Sequence, residues 1–137
     1  VKAKYPTLGW DKTINTSKVT LAYYKKDTKS MLAAMKHMYA NNQQLEDRVM
    51  NAIAWNIFES SEDKTVLSQV AMYLGKHVTN AKDPAIIDTY ANVLYKAGDK
   101  TNALKWMEKA VALSDAAAKS EYKATLEKMK AGNPTWK

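Results

Sequence analysis

No cysteine occurs in the sequence, so disulfides, thiolate nucleophiles and thiolate–metal sites are excluded. Only 4 glycines and 3 prolines stand among 137 residues, which leaves little material for long irregular loops. Arginine is nearly missing as well: Arg48 is the single one among 21 basic residues. No apolar run approaches the roughly 20 residues that a membrane-spanning helix needs. Nucleophile-elbow, zinc-protease, phosphate-loop and dinucleotide-binding motifs are all missing. No catalytic residue and no cofactor are therefore assigned, and the chain is expected not to be an enzyme.

The residues present are 46% hydrophobic and 26% charged, a balance that suits one packed core with a solvated surface. The net charge of +7 is uneven. Residues 1–40 hold eight lysines against two aspartates, and such a basic end can attract nucleic acid, anionic lipid or an acidic protein. The scarcity of arginine argues against specific nucleic-acid recognition, which favours the planar guanidinium. His37 and His77 fall on different predicted helices and form no metal motif; Glu59, Glu62 and Asp63 lack calcium-loop spacing.

Residues 1–15 show no helical period and contain Pro6 and Gly9. They read as an irregular lead-in or linker, with Tyr5 or Trp10 as an anchor. "NTS" at 15–17 matches a glycosylation acceptor. Residues 18–26 fit both a strand and a helix, and the lack of a second strand favours helix. From there apolar residues recur at spacings of three and four, giving helices over about 28–41, 44–60, 63–79, 84–97, 99–114 and 116–131. "NNQQ" at 41–44 supplies a break and an expected N-cap, Asp83 and Pro84 suit a helix start, and Gly98 suits a left-handed stop. Met31, Met35 and Met38 form a stripe that fits a core better than an adaptable groove.

The helices repeat. "NAIAWNIF" at 51–58 overlays "DTYANVLY" at 88–95 at an offset of 37, so that Ala54 meets Ala91 and Phe58 meets Tyr95. The following helices align at an offset of 35, placing Ser68 on Ala103, Met72 on Met107 and Gly75 on Ala110. Paired helices at this period point to a helical repeat. Ala91, Gly98, Ala103 and Ala110, with Leu94 and Met107, resemble the small and large positions of a tetratricopeptide repeat over 84–115; residues 48–79 resemble a more divergent copy. The expected fold is all-α: antiparallel helix pairs stacked as a short tetratricopeptide-like right-handed solenoid with N- and C-terminal capping helices. Residues 16–137 are expected to form one domain, with repeat-like units at about 44–79 and 84–114 and a capping helix at about 116–131.

"NAIAWNIFE", "DTYANVLYKAGDKTNALKWMEKAV" and "MKAGNPTWK" also resemble the C-terminal helical region that follows a thioredoxin-like domain in proteins of Bacteroidetes. That resemblance implies an accessory module of a redox protein in the periplasm or cell envelope. It also implies a protein, a peptide or an upstream domain of the same polypeptide as partner. In tetratricopeptide proteins the first helix of each pair lines the ligand face. By register, Arg48, Asn51, Trp55 and Glu59 come from one copy, and Asp88, Asn92, Tyr95 and Lys96 from the other. Amides on such a face can hydrogen-bond a peptide and aromatics supply contact area. Asn51 and Asp88 stand where members that clamp a terminal carboxylate carry basic residues. The alternative is a basic surface module binding nucleic acid or anionic lipid through residues 1–40.

Overall fold

The computed structural model describes residues 10–137, with side chains from Thr13 onward. Over that range the protein is all-α. Its seven helices are α1 (Trp10–Tyr24), α2 (Thr28–Ala40), α3 (Asp47–Ser60), α4 (Lys64–Val78), α5 (Pro84–Ala97), α6 (Lys100–Leu113) and α7 (Ala116–Lys130). No strand is present among the described residues.

The boundaries follow local chemistry. Asp27, Asp63, Asp83, Asp99 and Asp115 each stand just before a helix and accept a hydrogen bond from a first-turn backbone N–H, satisfying donors that have no partner within the helix. Pro84 occupies the first turn of α5, where a missing N–H costs nothing. Gly98 closes α5 at φ 105°, a conformation that a Cβ would oppose.

Three boundaries differ from the sequence-based expectation. Helix α1 starts at Trp10, inside the segment read as an irregular lead-in; the rest of that segment, and the proposed anchoring by Tyr5 or Trp10, lie outside the described residues. Helix α3 starts at Asp47, so "NNQQ" precedes it without capping it. Contacts divide the described residues into two compact units, one ending at Glu46 and the other spanning Asp47–Lys137, where the sequence suggested a single domain from residue 16.

In the first unit α1 packs on α2. Val19, Met31, Met35 and Met38 are fully buried, so the methionine stripe is core. Asn15, the acceptor of the glycosylation motif, is buried and donates to Gln43 Oε1 at 3.2 Å. That burial leaves no room for a glycan.

In the second unit α5 packs against α3, α4 and α6, and α6 packs against α7, a helical-repeat-like stacking of pairs. The small residues explain how the helices approach. Ala54, Ala91, Ala103 and Ala110 have no exposed surface. At Gly75 an added Cβ would stand 3.3 Å from the Tyr90 hydroxyl, so the glycine makes room for a side chain of the next pair. The second-helix register needs one correction. Met107 is fully buried but Met72 is 58% exposed, so the two do not occupy equivalent places. Leu67, Ala71 and Leu74 are the buried counterparts of Ala103, Met107 and Ala110, one residue further than the expected offset of 35. Because Ala103 is sealed, Ala103→Leu should lower stability by about 1–3 kcal/mol through overpacking. Urea denaturation with an unchanged midpoint would show that the interface tolerates the larger side chain.

Candidate functional site

The eight residues expected on a ligand face are sorted by the structure into three groups. Arg48 and Glu59 are exposed. Asn51, Trp55 and Asp88 are half-buried. Asn92, Tyr95 and Lys96 are buried, at 2%, 5% and 4% exposure, which corrects their placement on an open strip.

The buried three have internal partners. Asn92 Nδ2 donates to the Asp88 backbone carbonyl at 2.9 Å and to Asp88 Oδ1 at 3.1 Å. Its side chain is thus folded back along its own helix. Tyr95 Oη donates to the Asn133 carbonyl at 2.9 Å. Lys96 Nζ donates to the Phe58 carbonyl at 2.7 Å and lies 2.9 Å from Glu62 Oε1. The Phe58 carbonyl belongs to the last turn of α3, where carbonyls lack an in-helix donor, so Lys96 of one pair caps the first helix of the other. The counterpart of Lys96 in the first copy is the exposed Glu59.

Around Lys96 lies an aromatic cluster in which the sequence reading had not placed Phe58 or Trp136. The Trp136 ring centroid is 6.2 Å from Phe58 and 6.0 Å from Tyr95, edge-on to both. Lys96 Nζ sits 5.2 Å from the Trp136 centroid and 5.4 Å from that of Phe58, within cation–π range. Trp55 extends the cluster, 4.9 Å from Phe58. Phe58 and Tyr95 are equivalent residues of the two copies, so the repeat itself creates a pair of rings for a third to enter. Trp136 arrives on residues 131–137, a non-helical tail after α7. Gly132 takes φ 75°, and Asn133 N–H bonds back to the Lys128 carbonyl at 2.9 Å, which ends the helix and turns the tail.

Two open clefts occur in this unit, the first beside the cluster and the second at the N-terminal ends of α3 and α5. One of about 240 Å³ is lined by Glu62, Lys64, Tyr95, Lys96, Gly98, Lys100 and the tail residues Gly132, Pro134 and Trp136. The other, about 280 Å³, is lined by Asp47, Arg48, Asn51, Ala81, Lys82, Asp83 and Ile86. Asn51 Oδ1 is buried there without a hydrogen-bond partner, as is Thr135 Oγ1 in the tail. Asp47, on the wall of the second cleft, meets the buried His77 through Oδ1 and Nδ1 at 2.7 Å.

Asp88 is the electrostatic outlier. Burial, with Glu121 as a second negative charge, pushes its carboxyl up to about 7, against the opposing hydrogen bond from Asn92. The Tyr122 hydroxyl is raised too, first by burial and then by Asp88. A carboxyl so placed holds its proton well above the ordinary carboxylate range. No group of three or more His, Cys, Asp or Glu side chains that could hold a metal ion occurs among the described residues.

No protein-family model, curated protein or solved structure matches the chain.

Proposed function

We propose that this chain is a non-enzymatic module for protein–protein or domain–domain contact, built as a short tetratricopeptide-like array and accessory to a thioredoxin-like redox protein of the cell envelope. The observation that carries the reading is the seating of a non-helical segment on the paired rings Phe58 and Tyr95, through the Trp136 ring and the Asn133 carbonyl. A surface that grips one irregular segment by an aromatic ring and a main-chain hydrogen bond has the chemistry to grip others. Arg48 and Glu59 give exposed charge of both signs along α3.

Panning a random heptapeptide library tests this. The wild-type chain should select a restricted set of sequences. An Arg48→Glu, Glu59→Lys variant should bind them about tenfold more weakly, while its stability stays within about 0.5 kcal/mol, as for exposed sites. Equal affinities would put the contact elsewhere, and failure to select any sequence would count against peptide recognition. A thioredoxin-fold domain titrated into both proteins tests the domain-contact version.

A second reading has its own support. The α1–α2 unit exposes Ile14, Leu21 and Tyr24 beside exposed Lys18 and Lys25, a combination that suits an anionic lipid surface. No helix of the described residues is long and apolar enough to cross a membrane. Binding that falls steeply with salt, to anionic vesicles or to nucleic acid, would favour this reading.

A further inference from the structure

We infer that residues 133–136 are an intramolecular ligand, a latch that occupies the Phe58–Tyr95–Lys96 notch until an aromatic-bearing, acidic segment of a partner displaces it. The inference rests on the proposed role of this face as an interaction surface, and it names the regulation and the ligand chemistry of that site.

Three observations carry it. First, the tail is held by little. A hydrogen bond from Tyr95 Oη to the Asn133 carbonyl at 2.9 Å joins it to α5, and its main apolar anchor is one half-buried ring, Trp136, set against Phe58 and Tyr95. Contacts so few open at small cost compared with global unfolding. Second, the fit is incomplete. Thr135 Oγ1 is buried without a partner, and about 240 Å³ of cleft remains open beside Pro134 and Trp136. Third, the charge is wrong for the tail. The cleft wall carries Lys64, Lys96 and Lys100 against the single carboxylate Glu62, and Lys96 already engages that carboxylate at 2.9 Å. The tail, residues 131–137, brings no side-chain carboxylate to this wall, and its one charged side chain is Lys137. A segment with a carboxylate in place of that lysine would match the wall better.

Tethering sets the arithmetic. A short flexible tail keeps its ring near the notch at an effective concentration on the order of millimolar. A free segment therefore meets a site that is mostly occupied, and its apparent affinity falls by the fraction of time the site is open.

The experiment uses the whole chain and two labelled peptides. One copies residues 132–137, Gly-Asn-Pro-Thr-Trp-Lys; the other ends in Glu instead of Lys. Fluorescence anisotropy at low salt should show the Glu peptide binding the Trp136→Ala chain at least tenfold more tightly than the wild-type chain. It should also bind that variant about threefold or more tighter than the Lys peptide does. High salt should close the second gap, as should Lys64→Gln with Lys100→Gln in the Trp136→Ala background. Tyr95→Phe, which removes only the hydroxyl, should raise affinity about threefold and keeps the test open if Trp136→Ala loses helical circular dichroism. Equal affinities of wild type, Trp136→Ala and Tyr95→Phe would overturn the latch. So would absence of peptide binding by a helical Trp136→Ala or Tyr95→Phe chain. Neither result touches the library selection at Arg48 and Glu59, so failure of the latch and failure of the interaction-module reading are separable.

Discussion

Replacing Lys96 with alanine is expected to destabilise the protein by about 3 kcal/mol. The ammonium is buried, with 2% of its side chain exposed, and it donates to the Phe58 carbonyl at 2.7 Å. Its removal strands a carbonyl at the end of α3 that no helical N–H can reach, and a charge-assisted hydrogen bond of this kind contributes about 1.5–3 kcal/mol. The cation–π contacts to Phe58 and Trp136 add on the order of 1 kcal/mol, and the aliphatic stem is lost with them. Lys96→Met keeps the stem and should recover part of the loss. Glu62→Gln should cost under about 1 kcal/mol, because that carboxylate is 77% exposed and its pairing is screened by water. Guanidinium denaturation of the three variants gives the order. A cost below about 1 kcal/mol for Lys96→Ala would mean that the ammonium finds water and that the cap on α3 is not formed.

The same lysine marks the limit of what the sequence discloses. The helix-start residues Asp63, Asp83 and Asp99 and the stop at Gly98 were legible because each acts on a backbone group within three residues. The alanines were legible because two copies of one pattern can be compared. Lys96 reads as a surface residue because its partner, the Phe58 carbonyl, lies 38 residues away, and a carbonyl leaves no trace in a residue pattern. Asn92 was misplaced for a related reason: an amide one step past a small residue can face solvent or fold back onto its own helix. The desolvated Asp88 beside it decides for the second. Met72 was aligned with Met107, which is buried, whereas the exposures put Ala71 in that place. Trp136 lies past the last periodic helix, so no period could reach it. The one available clue was a tryptophan in an otherwise polar tail.

Asp88→Asn is expected to stabilise the protein above neutrality and to do little in acid. In the folded state the Asp88 carboxyl is raised from 3.8 to about 7, first by burial and then by Glu121. In the unfolded chain it returns to the ordinary carboxylate range. Between those two values the native state holds a proton that the unfolded state has released, so stability must fall as pH rises. The loss begins near the unfolded value and is complete above the folded one. The whole interval corresponds to roughly 4 kcal/mol, an upper bound because the side chain keeps some contact with water. Asparagine cannot ionise, and it preserves the carbonyl oxygen that accepts from Asn92 Nδ2, which in wild type lies 3.1 Å from Asp88 Oδ1. At pH 8 the variant should therefore be more stable by about 2–3 kcal/mol, shrinking toward zero near pH 4, as the linkage relation requires. Glu121→Gln should move the wild-type curve the same way by less, since Glu121 is the smaller of the two causes. Urea denaturation of each protein across pH 4–8 reads the difference directly, because every carboxylate common to both cancels. Parallel stability curves for wild type and Asp88→Asn would show that Asp88 is ionised in the folded protein throughout, and that water reaches it between α5 and α7.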